Sequence, residues 1–294
     1  MIATTGFFDG VHLGHRLVIE RLVSLARERG DESLVVTFWP HPRAVLQDGA
    51  RELRLLNSLE EKKELLRCLG VDRVEVLDFT RSFATLSAEQ YLRDILRDRF
   101  RVTTLLMGYD NRLGSDRLTA SSLMPIAASI GIELIELEPF GMGKHPQTHI
   151  SSTRIRKSLE EGKVEEAAEM LGYQYALRGV VVAGNRLGRT IGFPTANMRL
   201  YEPLKLVPGR GVYVVEAEVL GTKYRGMTNI GLRPTVGGSF TTIETHILDF
   251  DEDIYGLPLR ITFLRRLRDE VHFPSLEALK DQLEKDRECC REQK

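Results

Sequence analysis

The hydrophobic periodicity changes partway along this chain, and that change limits the folds open to it. Up to about residue 150, short apolar, β-rich runs alternate with helix-like segments. Residues 2–8, 33–38, 73–77, 102–107 and 132–137 read as strands. Residues 16–29 read as a helix that sets Leu17, Ile19, Leu22, Val23 and Ala26 on one stripe, with Gly30 as its stop. Ser58 with Glu61, and Ser87 with Gln90, have the spacing of capping boxes, so each starts a further helix. Residues 121–130 complete the set. Strands alternating with helices predict a parallel sheet covered on both faces, with ligands beyond the carboxyl ends of the strands.

Beyond Gly172 the pattern is different. Residues 177–183, 212–220, 223–230, 240–248 and 259–263 read as strands separated by turns. Val212, Val214, Ala217 and Val219 alternate imperfectly, with a slip near Val215 that a bulge would produce. A closing helix is expected from Ser275, with Leu276, Leu279 and Leu283 on one face. Residues 153–171, punctuated by Gly162 and Gly172, form one or two short helices. The predicted architecture is an α/β parallel-sheet domain over residues 1–174, then a small antiparallel β-barrel domain with a C-terminal helix over 175–294.

A chain of 294 residues with 42% hydrophobic content suits two buried cores. Its net charge of −1 excludes the broad basic field of a nucleic-acid-coating protein. Cys68, Cys289 and Cys290 form no Cys-x-x-Cys pair, so neither a zinc framework nor a disulfide scaffold is expected, and the compartment reads as reducing and cytoplasmic. The first residues lack the basic and apolar segments of a signal peptide. No apolar run approaches the ~18 residues of a membrane helix. The expected partners are small molecules, not nucleic acid or membrane, and the expected state is a monomer or weak homo-oligomer.

Glycines and histidines crowd the first strand–helix junction, Gly10-Val-His12-Leu-Gly14-His15. A helix N-terminus presents unpaired N–H groups and the positive end of a dipole, so it attracts phosphate. Gly10 and Gly14 allow close approach of backbone to phosphate. His12 and His15 project near one face of that turn, where imidazoles can donate to a phosphate whose charge grows in the transition state. Read singly, one histidine is a cap and the other a surface residue; the pair at this junction favours phosphate. A metal would need a third ligand, and the Gly-x-Gly-x-x-Gly of a dinucleotide fold is absent. Near residue 150, Ser151-Ser152-Thr153-Arg154 precedes Arg156. These hydroxyls either cap a helix or hold phosphate oxygens, and the guanidinium groups are planar phosphate donors.

Together, the runs 6–15, 38–43 (Phe-Trp-Pro-His-Pro-Arg) and 150–156 resemble the adenylyltransferase module of bacterial bifunctional riboflavin kinase/FAD synthetases. The resemblance implies a Rossmann-like nucleotidyltransferase fold that joins FMN and ATP into FAD and pyrophosphate. It implies that His12, His15 and Arg154 meet the triphosphate, with Gly6, Phe8, Asp9, Gly10, Gly14, Ser151, Ser152 and Thr153 as neighbours. His41 and Asp110 fall on the flavin side. In one place the chain departs from the family: Gly-x-Asp/Asn-Phe-x-Phe-Gly is here Gly108-Tyr-Asp110-Asn111-Arg-Leu113-Gly114.

The barrel half has its own cluster. Gly184-Asn-Arg-Leu-Gly188-Arg189 is too short in its glycine spacing for a Walker A loop and has Arg189 where lysine would stand. Such a turn can still wrap phosphates with backbone N–H groups. Thr195 and Asn197 offer neutral oxygens at alternate positions of an extended segment, hence on one side, although Pro-Thr-Ala-Asn also reads as a plain turn. Glu244 faces opposite to Ile243 and is either solvated or a general base. Runs 192–197, 229–235, 244–250, 253–256 and 267–273 resemble the riboflavin kinase module in its usual order. The resemblance implies phosphorylation of riboflavin by ATP, with Gly184, Gly188 and Arg189 on phosphate, Thr195 and Asn197 on Mg²⁺, and Glu244 as base. Asn229, Arg268 and Glu270 would lie near the flavin, although Arg268 and Glu270 also read as a surface ion pair. Two rivals stand beside this reading: a kinase without efficient adenylyl transfer, and a non-catalytic flavin-binding regulatory protein.

Overall fold

A computed structural model describes residues 1–46, 53–108, 111–137, 150–184, 187–235 and 238–291. The chain divides into two compact units, Met1–Ser152 and Thr153–Lys294. The break falls ahead of the 174/175 boundary read from the sequence, because the helices after residue 152 pack with the barrel.

In the first unit, five strands form one parallel sheet in the order β3-β2-β1-β4-β5. They are β1 (Ile2–Thr5), β2 (Ser33–Trp39), β3 (Arg73–Asp78), β4 (Thr104–Gly108) and β5 (Glu133–Leu137). Adjacent residues serve opposite faces. Ile2, Val35 and Leu106 pack under α1 (Leu13–Arg29), with its Ile19 and Leu22, and α3 (Leu59–Cys68), with its Leu66. Ala3, Leu34, Val36 and Leu105 pack on the other side, against Leu92 and Leu96 of the segment after α4 (Ala88–Gln90) and Leu123 of α5 (Ala120–Ser129). A short α2 (Pro42–Leu46) follows β2. Both capping boxes form: Ser58 with Glu61 and Ser87 with Gln90 exchange side-chain and backbone hydrogen bonds. Gly30 ends α1 in the left-handed conformation. The strand order reverses at β1, so the carboxyl ends of β1 and β4 flank the switch point where such sheets bind ligands.

The second unit is a closed barrel of six antiparallel strands, β10-β7-β6-β11-β8-β9. Its strands are β6 (Ala176–Val182), β7 (Ala196–Leu200), β8 (Gly211–Val219), β9 (Thr222–Thr235), β10 (Gly238–Ile247) and β11 (Pro258–Arg268). Helices α6 (Ser152–Glu160) and α7 (Val164–Leu171) join this unit, and α9 (Leu276–Arg291) closes it. Gly209 N–H donates to the Leu159 carbonyl at 2.8 Å, and the Arg266 guanidinium to the Glu161 carbonyl at 3.0 Å. Tyr175, Tyr213 and Phe263 are fully buried and share ring contacts.

Three sequence expectations change here. The strand β7 begins inside the Pro194-Thr-Ala-Asn197 segment, which also reads as a plain turn, and runs on to Leu200. The slip near Val215 is not a bulge in β8: residues 211–215 are buried on both faces, and the register shifts fall opposite, between Phe263 and Arg265 and between Arg266 and Arg268 of β11. Val212 and Val214 belong to a second apolar cluster with Phe193, Met227 and Cys290. On α9, Leu283 packs with the second cluster as its spacing predicts, but Leu276 is 53% exposed, and Asp286 and Cys290 are buried.

Candidate active sites

At the first junction, the backbone after β1 turns sharply. Phe8 and Val11 have φ of 47° and 36°, and Gly10 has φ of 87°. Non-glycine residues hold such angles at a cost of about 1–3 kcal/mol each, when their surroundings fix them. Burial of Phe8 and Val11 supplies that constraint, and Gly6 N–H is tied to the Val36 carbonyl at 3.1 Å. His12 caps α1, its Nδ1 accepting the His15 N–H at 3.3 Å. The two imidazoles stack with centroids 3.6 Å apart and an interplanar angle of 15°. Gly14 permits that stack: a Cβ there would stand 3.3 Å from the His12 ring. Burial, reinforced by His12 and Lys62, holds the His15 pKa well below the usual histidine value.

Asp9 is 5% exposed, and its carboxylate accepts the backbone N–H groups of Leu56 and Asn57 at 3.0–3.3 Å. It shapes the turn by tying in the chain ahead of α3. Ser152 Oγ donates to the Asp9 carbonyl at 2.9 Å, which joins the serine run to the glycine turn. His41 lies after β2, its ring 5.2 Å from Phe7 and its Nδ1 accepting the Arg43 N–H. Asp110 lies outside the described residues. Leu113, where the family has an aromatic, packs against the sheet core and bridges to Leu118. Gly114 allows that turn only as glycine, with φ of 77° and a Cβ that would meet the Ala88 nitrogen at 2.2 Å.

One buried charge, Lys62, was not legible in the sequence. It sits in the run Glu60-Glu61-Lys62-Lys63-Glu64, which reads as a solvated helix face. Yet Lys62 is 4% exposed, and its Nζ donates a long bond of 3.5 Å to Thr37 Oγ. Burial lowers its pKa to about 8 against the opposing attraction of Asp9.

In the second unit, Arg154 on α6 lies 3.4 Å from the Glu166 carboxylate on α7. Ser151 is half-buried, and Thr153 is exposed.

The barrel sets Glu244 at the centre of a cross-strand row. In register it faces Asn197 of β7 on one side and Asn229 of β9 on the other. Directly paired residues share a face of the sheet. The flanking Ile243 and Thr245 are buried, and Thr245 shares a 2.8 Å hydroxyl bond with Thr228, so Glu244 lies on the opposite, half-open side. A Cβ on Gly231 would stand 2.3 Å from Glu270 Oε1 and 3.2 Å from Asn229 Nδ2, which brings Glu270 beside that row. A Cβ on Gly184 would stand 2.2 Å from Asn197 Nδ2. Gly188 lies under the Phe193 carbonyl in the one-turn helix α8 (Leu187–Thr190). A cavity of about 310 Å³ lies beside it, lined by Arg189, Pro194, Thr195, Asp251, Asp253 and Tyr255 among others. His246 Nδ1 is bonded to the Pro194 carbonyl at 2.8 Å, and burial lowers its pKa.

Arg268 is neither a surface ion pair nor joined to Glu270. Its guanidinium grips the buried Asp286 of α9 through Nε and Nη2 at 2.7–3.2 Å. Among the described residues, no group of three or more His, Cys, Asp or Glu side chains is arranged to hold a metal, and no helix is long and apolar enough to cross a membrane.

Known proteins resemble the chain along its whole length. The FAD synthetase family matches residues 1–154, and the riboflavin kinase family matches residues 171–294. A bifunctional riboflavin kinase/FMN adenylyltransferase of Listeria monocytogenes is 38% identical over 97% of this chain and 90% of its own length. The protein of that name from Escherichia coli K12 is 37% identical over 99% and 92%. A solved Streptococcus pneumoniae structure, described as a macrolide-efflux protein, is 34% identical with a TM-score of 0.91, covering 100% of this chain and 94% of that one.

Proposed function

Because the chain belongs to the bifunctional riboflavin kinase/FMN adenylyltransferase family, we propose how its residues divide between the two reactions. The enzyme phosphorylates riboflavin with ATP to FMN and ADP, then joins FMN to a second ATP, giving FAD and pyrophosphate. Residues 1–174 are assigned to adenylyl transfer and 175–294 to the kinase.

The observation that carries the kinase assignment is the row Asn197–Glu244–Asn229. Glu244 takes the proton of the riboflavin primary hydroxyl as its oxygen attacks the γ-phosphorus of ATP. Asn229 and Glu270 orient the flavin beside it. Arg268, paired with Asp286, holds the end of β11 from which Glu270 follows. Gly184, Gly188 and Arg189 line the approach of the phosphates. Thr195 and Asn197 suit Mg²⁺, which takes few protein oxygens and completes its shell with phosphate and water. When bound, that ion would neutralise phosphate charge.

Adenylyl transfer is assigned to the stacked pair at the start of α1. His12, His15 and Arg154 donate to the triphosphate as FMN phosphate attacks the α-phosphorus, and positioning with charge stabilisation is sufficient for this step. Gly6, Phe8, Gly10 and Gly14 are assigned to the phosphate cradle that Asp9 shapes, and Ser151, Ser152 and Thr153 to phosphate oxygens. His41 and Asp110 are assigned to the flavin. One chain carries both sites, so a monomer suffices. Free cysteines at 68, 289 and 290 suit a cytoplasmic enzyme.

The test is a flavin product assay with ATP and Mg²⁺, started from riboflavin and separately from FMN. Both FMN and FAD are expected. FMN without FAD leaves a kinase alone, and flavin binding without ATP consumption leaves a regulatory protein.

A further inference from the structure

An ammonium group buried to 4% exposure needs a reason, because desolvation of a charge is costly. Ion pairing is the usual one, yet no carboxylate among the described residues lies within 4 Å of Lys62 Nζ. Asp9, whose carboxylate attracts it, accepts the Leu56 and Asn57 N–H groups. The ammonium has three donors, and the Thr37 hydroxyl takes one of them weakly, at 3.5 Å.

Its surroundings are short of anions. Thr37 lies toward the carboxyl end of β2, the edge of the sheet where the glycine turn begins. Lys62 acts electrostatically on His15, whose imidazole is held neutral. That imidazole belongs to the first turn of α1, at the positive end of the helix dipole. His15 Nδ1 is buried without a hydrogen-bond partner among the described residues. Positive potential, open donors and a buried polar nitrogen thus occur together near the carboxyl end of β2 and the start of α1.

We propose that Lys62 is an anion-binding residue of the adenylyl-transfer site, its ammonium contacting phosphate oxygens of the ATP polyphosphate. This rests on the assignment of that reaction to the His12–His15 turn. The bound polyphosphate supplies the counter-charge that the protein withholds from Lys62. Because that contact strengthens as negative charge shifts onto the departing pyrophosphate, it favours the transition state over bound ATP.

The experiment compares Lys62→Met, Lys62→Arg and His15→Ala in the full chain. For Lys62→Met, FAD formation from FMN should fall by about 10²–10³-fold, the range for losing one preorganised donor. Its inhibition by added inorganic pyrophosphate should weaken at least tenfold. FMN formation from riboflavin should stay within twofold of wild type. The melting temperature should hold or rise, since Met removes the burial cost of the charge without opening a cavity. Lys62→Arg should recover part of the lost rate. Undiminished FAD formation in Lys62→Met, with His15→Ala inactive, overturns the role of Lys62 and leaves the site assignment intact. Undiminished FAD formation in His15→Ala overturns both. A fall in melting temperature with unchanged pyrophosphate inhibition overturns the proposal in favour of a structural lysine.

Discussion

Gly184→Ala separates the geometry of the kinase site from its stability. A Cβ at residue 184 would stand 2.2 Å from Asn197 Nδ2, 2.5 Å from Cγ and 2.8 Å from Oδ1. Ordinary contact between such atoms is about 3.5 Å, so the carboxamide has to retreat by about 1.3 Å. The obstacle is the far end of a side chain, which can turn away at roughly 0.5–1.5 kcal/mol. Gly184 is not in the left-handed region, so alanine meets no backbone strain there. A displacement of about 1 Å at a positioning group costs on the order of 10²-fold in rate, or about 2.7 kcal/mol of barrier. FMN formation from riboflavin should therefore fall by about two orders of magnitude, while the melting temperature moves by only a few degrees. FAD formation from supplied FMN serves as the internal control and should not change. Wild-type kinase rates in Gly184→Ala would refute the role of Asn197.

Glu244→Gln keeps the shape of the row but removes the base; FMN formation should drop by about 10²–10⁴-fold, with FAD formation from FMN unchanged. His15→Ala should do the reverse, costing about 10²–10³-fold in FAD formation alone. Asp9→Ala strands buried N–H groups of Leu56 and Asn57 and should destabilise the first unit by about 2–4 kcal/mol in denaturant unfolding. His15 also predicts a pH effect. Its pKa in the folded protein lies below that of the unfolded chain, so its contribution to stability is full above about pH 6.5 and is lost as pH falls below that value. His15→Gln should flatten the decline in melting temperature between about pH 6.5 and 5.

Local chemistry made much of this fold readable. Ser58 with Glu61 and Ser87 with Gln90 form the caps their spacing announces, and Gly30, Gly162 and Gly172 all take left-handed angles at helix ends. What escaped depends on distant packing. Lys62 looks solvated because its neighbours in sequence are charged, and only the meeting of α3 with β2 buries it. Asp9 reads as a ligand group, but the chain at residues 56–57 claims its oxygens. On α9 the leucine spacing finds Leu283, which packs with Cys290, but it cannot show that Asp286 also faces inward, because only the pairing with Arg268 makes a carboxylate an inward residue. The row around Glu244 is likewise invisible in a linear reading, since its members are 47 and 15 positions apart along the chain (244 − 197 and 244 − 229).

That row has a consequence for how this half of the enzyme can vary. Side chains of a strand alternate with a period of two, so one residue inserted between the β9–β10 turn and Glu244 would deliver Glu244 to the buried side and put a neighbour in its place. Substitution at half-open positions other than Asn197, Asn229 and Glu244 costs little by comparison. The strands therefore act as rulers: relatives that keep the reaction should hold Asn197, Asn229 and Glu244 and differ more freely in the other letters of β7, β9 and β10, while additions and losses of residues collect outside the strands.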